Sequence, residues 1–493
     1  SGHARVGPDR PALVMGDVVR TYGGLDRRAS RVASLLEARG AGPGRPVATV
    51  LPNGIEIFEV ATAAAMVNAP YLPINWHLKA DELAYILADA DVAVVVGQVT
   101  ADGELARALG DRATGALWVG GDYEDELAAA TPDPAADSGA GPELMFYTSG
   151  TTARPKGVVH VALSEDGGRV RGMEGQVALW GWTDQDVYVM SGPAYHASHL
   201  GWALCSLYIG ATTVITEQFE ARSFLAEVSR RRGTRSFMVP AHFIRILEIP
   251  EPERAAIDVS SFSLIVHAAA PCPVAVKYKM MEAFPHAEIH ELYGASEGGA
   301  TRISPEEWRA RPGSVGLPWP GVEIRILDEK GTAVPTGEPG IIYIRPPGPH
   351  RFRYRNDDDA TAQAWHDDAF TVGDIGFLDA DGYLTITDRV SDMVLWGGVN
   401  IAPREIEEVL FEHPAVVDCA VFGVPDERDG ERLKAIVQLR QPVTTDELAD
   451  HVGARLARYK VPKQWEVVDE LPRDQNGKVR KRLLREAHAA GAR

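Results

Sequence analysis

Up to Leu395, short β-rich apolar runs alternate with segments of helical periodicity. The runs include "VATVL" (Val47–Leu51), "VAVVVG" (Val92–Gly97), "TTVIT" (Thr212–Thr216) and "FSLIVHAAA" (Phe262–Ala270). Between them lie "RRASRVASLLEARG" (Arg27–Gly40), "DELAYILADA" (Asp81–Ala90) and "ARSFLAEVSRRRG" (Ala221–Gly233), which carry apolar stripes at helical spacing. This rhythm leaves few packings open, because crossover helices must bury their stripes against the faces of a sheet. The expected fold class is α/β, with layered sheets and helices. "VATAAAMV" (Val60–Val67) reads as a buried helix, since a spanning helix needs about 20 apolar residues, and no transmembrane segment is expected.

The texture changes twice. From Gly313 to Asp388 strands and turns dominate, as in "VEIRILDEKG" and "FTVGDIGFLDADGYLTITDR", which predicts a small β-barrel-like part with a turn at Asp379–Gly382. After Arg389 a second α/β pattern begins. "PREIEEVLFEH" is helical with Pro403 in the first turn, "VVDCAVFGV", "LKAIVQL" and "WEVVDEL" are strands, and "TTDELADHVGARLARY" is a helix opened by Thr445. A chain of 493 residues exceeds one ordinary core. The predicted domains are residues 1–389 and a small, mobile C-terminal domain, residues 390–493.

A formal net charge of −19 argues against a nucleic-acid partner, while leaving room for a local basic pocket that takes an anionic small molecule. Cys205, Cys272 and Cys419 are widely spaced, so neither a disulfide framework nor a zinc knuckle is suggested. The N-terminal stretch has no apolar signal region, and the cytoplasm is the expected location.

Chemistry concentrates in a few stretches. "FYTSGTTARPKGVVH" (Phe146–His160) fits neither a helix nor a strand interior, and it gathers hydroxyls and flexible backbone donors around Lys156. A polyphosphate needs such directed donors plus a point charge. The stretch is no Walker loop, because Pro155 and Gly157 stand where that motif has Gly and Ser/Thr. A surface loop with one solvated lysine is the other reading. "HELYGASEGG" (His290–Gly299) places Tyr293, Ser296 and Glu297 beside glycines, suiting a base, a phosphate and Mg²⁺ in turn, or else a strand-ending turn. Asp374 in "FTVGDIG" suits a carboxylate gripping two sugar hydroxyls, or ordinary turn chemistry. His196 and His199 have i, i+3 spacing, but no third zinc ligand has recognisable spacing, so His196 reads as pocket-lining and His199 as a core histidine. Lys478 follows Asn-Gly on a turn in "LPRDQNGKVRKRLL", and a solvated basic tail is the alternative.

In this order the stretches resemble the adenylate-forming superfamily of acyl- and aryl-CoA ligases, nonribosomal-peptide adenylation domains and firefly luciferase. The resemblance runs from "TYGGLDRRASRVASLL" to "NGKVRKRLL", and "YTSGTTARPKG" matches the family's phosphate-binding signature. "YGASE", Gly373-Asp374 and "DRVSDMVLWGGVNIAPREIEEVL" match later motifs. The resemblance implies that Thr148, Ser149, Thr151, Thr152 and Lys156 embrace the β- and γ-phosphates of ATP. It implies that Ala269, Ala270 and Pro271 line the adenine slot, with Tyr293 against the base. Ser296 would meet the α-phosphate, Glu297 would ligate Mg²⁺, and Asp374 with Arg389 would hold the ribose. Lys478 would reach the α-phosphate and the carboxylate, and His196 would sit at the mouth of the acid pocket. The implied reaction is activation of a carboxylic acid to an acyl-adenylate, then thioester formation with coenzyme A as the small domain swings near "DRVSD".

Four positions depart from the family pattern: Ala153 replaces Gly, Ser296 replaces Thr, Ser391 stands at the hinge, and Trp396 precedes Gly397-Gly398, where it packs under the small domain as ordinary core or else narrows the implied pantetheine path. The last two bear on the thioester step, and an enzyme that passes acyl-AMP to a separate thiolating protein or carrier is the alternative. A scaffold that has lost chemistry is disfavoured by the presence of Lys156, Glu297 and Lys478. Pocket walls are expected from His196–Gly201, His242–Phe243, Val266–Ala269 and Tyr293–Gly299. Their small residues suit a roomy apolar pocket for a medium- or long-chain, aryl or polycyclic acid. No Asp there is placed for an amino group, and a homodimer is compatible with all of this.

Overall fold

The computed structural model describes residues 3, 5, 7–99, 103–132, 141–148, 154–160, 168–348, 351–426, 430–474 and 477–491. They pack as two compact units, Ser1–Phe237 with Ile257–Ser263 and Pro349–Ala362, and Met238–Ala256 with Leu264–Gly348 and Gln363–Arg493. The fold is α/β. No helix among the described residues is long and apolar enough to cross a membrane.

The first unit holds an all-parallel sheet in the order Leu117–Val119, Val94–Gln98, Val47–Val50, Pro70–Pro73, Glu143–Leu144. Its three inner strands, Val94–Gln98, Val47–Val50 and Pro70–Pro73, are buried on both faces and read as mostly apolar runs, as the expected crossovers require. The segment around "VATAAAMV" is indeed a helix, Ile55–Met66, buried over nearly its whole length. Helix Ala80–Asp89 sets Leu83, Ile86 and Leu87 against this sheet. Glu59 is fully buried on helix Ile55–Met66 and is held by Arg28 at 2.5 Å and the Tyr123 hydroxyl at 3.1 Å.

"FYTSGTTARPKGVVH" departs from expectation at both ends. Phe146–Thr148 and Lys156–His160 are antiparallel strands, with Thr148 opposite Lys156, and Phe352–Tyr354 completes a three-stranded sheet. That third strand lies far along the chain, so no local pattern announces the pairing. Ser149, Gly150, Thr151, Thr152 and Ala153 lie outside the described residues.

In the second unit Leu264–His267 pairs in parallel with Glu288–Ala295, and antiparallel strands follow through Gly298–Ile303, Ser314–Pro318, Leu384–Arg389, Asp374–Leu378 and Gly340–Arg345. The turn at Asp379–Gly382 forms as expected, with the Asp379 carboxylate accepting from Asp381 and Tyr383 N–H groups. A separate sheet belongs to the C-terminal stretch: Val399–Ile401, Val394–Trp396, Gly430–Leu439 and Val416–Asp426, with Gln464–Val468 parallel to Gly430–Leu439. Pro403 occupies the first turn of helix Pro403–Phe411, as read from the sequence. The next helix differs. It opens at Thr445 as read, behind the cap Thr444, whose hydroxyl accepts from Glu447 N–H, but it stops at Gly453 rather than running to Tyr459. Glycine is a poor helix former, and a separate 3₁₀ turn, Arg458–Lys460, follows.

Candidate active site

Four of the residues singled out in the sequence assemble in the second unit. Asp374 opens strand Asp374–Leu378 and stands directly opposite Arg389 across the antiparallel pair. Arg389 Nε donates to Asp374 Oδ1 at 2.6 Å, and the Tyr293 hydroxyl donates to Asp374 Oδ2 at 2.8 Å. Asp374 is buried, so one carboxylate organises two donors from two other strands. Burial and the adjacent carboxylate push the Tyr293 phenol well above its ordinary value. Partial desolvation works against the Arg389 cation, but Asp374 overrides it and holds the guanidinium above its usual pKa.

Lys478 joins this group from the C-terminal stretch. The Arg389 charge and burial lower its pKa to about 8, against the attraction of Asp374, Asp474 and Asp392. An ammonium beside a guanidinium is costly unless an anion arrives to be shared by both. The pair is therefore poised for an anionic ligand.

Ser296 and Glu297 form the two-residue turn between Glu288–Ala295 and Gly298–Ile303, with Ala295 opposite Gly298. Gly294 and Gly299 permit this tight pairing, since a Cβ on Gly294 would stand 2.9 Å from the Gly299 Cα. A Cβ on Gly299 would stand 2.2 Å from the Trp319 ring, a neighbour that no local pattern singles out. The Glu297 charge is near enough to add to the upward push on the Tyr293 phenol, after burial and Asp374. One such carboxylate completed by substrate phosphates is how Mg²⁺ is commonly held, and Glu297 fits that donor set.

Ala269, Ala270 and Pro271 follow strand Leu264–His267 and are accessible, while Val266 and Ala268 are buried. Ala269 has φ +74°, a conformation that costs a non-glycine residue about 1 kcal/mol or more. Such strain clusters at ligand-binding loops, and nothing in "HAAAPCP" announces it. His242 and Phe243, expected in a pocket wall, are both buried, and the Phe243 ring packs edge-on against His267.

The first unit carries the remaining candidates. Lys156 Nζ lies 3.5 Å from Asp357 Oδ2 and 5.1 Å from the centre of the Tyr354 ring. Its side chain is mostly buried, so the solvated-lysine reading is overturned. His196 is the cap residue of helix Ala197–Ile209, half-buried beside the Tyr195 ring. His199 is buried against Phe237, with Ser191 Oγ at 3.5 Å, and burial lowers its pKa to about 3. It is a neutral core histidine, admitted by Gly192, where a Cβ would meet the ring at 2.2 Å.

Trp396 lies in the hairpin Val394–Trp396/Val399–Ile401, which closes on Gly397 and Gly398 with φ +55° and +84°. Its indole is half-buried and stacks on the exposed Tyr459 ring at 5.9 Å and 5°. It is a surface stack and not core.

Residues 2–352 match the AMP-binding enzyme family, and residues 405–478 match the AMP-binding enzyme C-terminal domain. The chain is similar to long-chain-fatty-acid–CoA ligase FadD13 of Mycobacterium tuberculosis, with 33% identity over 489 residues, 96% of this chain and 94% of that one. It is also similar to fatty acid–[acyl-carrier-protein] ligase ScoC of Streptomyces coeruleorubidus, with 31% identity, 99% of this chain and 95% of that one. Among solved structures, the anthranilate CoA ligase AuaEII in complex with anthranoyl-AMP superposes with a TM-score of 0.88 at 27% identity, covering 99% of this chain and 96% of that one. The likeness extends over a large N-terminal and a small C-terminal domain.

Proposed function

The chain belongs to the AMP-binding enzyme family, and from that premise we propose that it joins a carboxylic acid to ATP and then passes the acyl group to coenzyme A. The observation that carries the proposal is the cluster of Tyr293, Asp374 and Arg389, a hydroxyl and a cation bonded to one buried carboxylate, with Lys478 electrostatically coupled to both Arg389 and Asp374. In the first step a carboxylate oxygen bonds to the α-phosphorus of ATP, and the bond to the bridging oxygen breaks to release pyrophosphate. Both partners are anions, so the barrier is largely electrostatic repulsion plus charge growing on phosphorus. Lys478 neutralises that charge. In the second step the CoA sulfur bonds to the acyl carbon, the thiol proton is lost, and AMP leaves with the electrons of the broken C–O bond.

Asp374 and Arg389 hold the ribose, Tyr293 lies by the adenine, and the strained Ala269 with Ala270 and Pro271 borders it. Thr148, Ser149, Thr151, Thr152 and Lys156 receive the β- and γ-phosphates. Lys156, now beside Asp357, would exchange that carboxylate for phosphate oxygens. Ser296 meets the α-phosphate and Glu297 holds Mg²⁺, which supplies charge neutralisation at the phosphates. His196 borders the acid. Residues 390–493 are the segment that reorients between the steps, and the cytoplasm is the setting.

The acid is a medium- or long-chain, aryl or polycyclic one, a range consistent with similarity to both a fatty-acid and an anthranilate ligase. Similarity to ScoC favours a second reading, in which an acyl carrier protein receives the acyl group. Acid-dependent ATP–pyrophosphate exchange across a panel of fatty and aryl acids, run beside thioester formation with CoA, tests both. Exchange without any CoA thioester would remove the CoA ligase reading and leave the carrier one.

The surface position of Trp396 yields a further prediction. Trp396→Ser removes a half-buried indole outside the core together with its Tyr459 stack, itself worth about 1 kcal/mol, so the variant should remain folded. If the indole narrows the pantetheine path, thioester formation from preformed acyl-AMP should speed up severalfold with pyrophosphate exchange unchanged. Equal loss of both half-reactions would show the indole to be structural.

A further inference from the structure

The lysine-bearing turn is anchored on both sides of Lys478. On the near side, Asp474 closes the turn: its N–H donates to the Lys478 carbonyl at 2.9 Å, and its carboxylate accepts from the Lys478 N–H at 3.0 Å. Arg473 then ties the turn to the sheet. Its Nε and Nη2 donate to Asp418 Oδ2 and Oδ1 at 2.7 and 2.5 Å, while Nη1 donates to the Gly477 carbonyl at 2.5 Å. Asp418 lies on strand Val416–Asp426, and the two side chains are only 6% and 14% exposed, so water competes little for these bonds. On the far side Lys481 Nζ reaches Glu407 at 2.8 Å, and Glu407 also accepts from the Val421 N–H.

We propose that Arg473, with Asp418, is a positioning residue for Lys478, fixing where the catalytic ammonium stands by gripping the backbone one residue before it. The proposal rests on the assignment of Lys478 to acyl-adenylate formation. Only a planar fork can satisfy a carboxylate bidentately and a carbonyl in a third direction at once. Gly477 makes the grip feasible: it has φ +70°, and a Cβ there would stand 2.5 Å from the Ala241 Cβ. A cavity of about 260 Å³, bordered by Ala241, Ile244, Asp418, Gln438, Leu471 and Arg473, adjoins the clamp. A released turn therefore has space to relax into. Displacement of about 1 Å at a reacting centre can cost up to a hundredfold in rate.

Arg473→Lys is the informative variant, because it keeps a cation for Asp418 but cannot also hold the Gly477 carbonyl. Arg473→Met removes both bonds. Pyrophosphate exchange is followed with the full-length chain against pH, and kcat/KM for ATP reports ionisations of the free enzyme. Arg473→Lys should lower kcat about tenfold and leave the ATP KM within about twofold. Its alkaline limb should also move upward, because a lysine freed from Arg389 and from burial regains a pKa nearer 10.4 than the wild-type value of about 8. Arg473→Met should do the same more strongly. Unchanged kcat overturns the proposal, and so does a loss of rate with an unmoved alkaline limb, which is what a smaller folded fraction would give. Lys478→Ala is assayed in parallel. If it retains exchange, the assignment of Lys478 itself falls; if it is inactive while Arg473→Lys behaves as wild type, only the positioning role falls.

Discussion

Lys478→Ala should lower ATP–pyrophosphate exchange by about 10²–10³, the usual cost of removing one preorganised charge from a transition state. ATP should still bind, because Asp374, Arg389 and the phosphate-loop residues remain. Transfer of the acyl group from preformed acyl-AMP should be much less affected, since charge no longer builds on phosphorus in that step. The electrostatics add a control against misfolding. Lys478 is held beside Arg389 at a pKa depressed to about 8, so its charged form is disfavoured in the folded protein. Deleting it relieves that repulsion, and the thermal midpoint should hold or rise as exchange collapses. On the proposed role of Lys478, the active form of the wild type is the cation. Exchange should be sustained below pH 8 and decline as pH rises through it, with the alkaline limb in kcat/KM for ATP reporting the free enzyme. Normal exchange in the variant would remove the assignment.

What the sequence revealed follows from which interactions are local. Periodicity located the helices and the parallel strands because burial of a stripe or a face is written every few residues. Helix Ala221–Arg231 shows the limit: the helical pattern reads on to Gly233, yet the helix ends at Arg231 and Arg232 takes the left-handed position at φ +51°. At the other helix the cap hydroxyl is supplied by Thr444, and adjacent threonines offered no local way to choose between them. The strand character of Phe146–Thr148 and Lys156–His160 depends on a partner at Phe352–Tyr354, and such pairing has no local signal.

The site divides in the same way. Lys156, Tyr293, Glu297, Asp374 and Lys478 stand in recognisable motifs, and four of the residues read from the sequence do come together in one cluster. The supporting contacts were not legible. Arg473 and Asp418 are 55 positions apart, and nothing in "VVDCAVFGV" distinguishes that aspartate from a solvated one. The Asp357 partner of Lys156 lies in an acidic run where any of three aspartates would serve. A backbone angle such as φ +74° at Ala269 belongs to the tertiary frame and leaves no trace in an Ala-rich stretch.

Asp374→Ala is the second large effect expected, and the cluster shows why it should exceed the loss of ribose contacts alone. Bonds from a carboxylate to sugar hydroxyls are worth about 1.5–3 kcal/mol each and persist through both half-reactions. Their loss should raise the apparent ATP constant by about two orders of magnitude while lowering turnover less. Asp374 has further work, since it accepts from Tyr293 and Arg389 and its charge also raises the Lys478 pKa. Without it Arg389 is left uncompensated beside Lys478, and the ammonium should lose its proton at lower pH. The alkaline limb of kcat/KM should therefore shift downward from about 8, opposite to the shift expected for Arg473→Lys. Asp374→Asn keeps an oxygen that can accept from one partner and should lie between Ala and the wild type in ATP affinity. A fall in turnover with ATP affinity intact would remove Asp374 from the ribose. An unmoved alkaline limb would instead separate it from Lys478 and leave the ribose role standing.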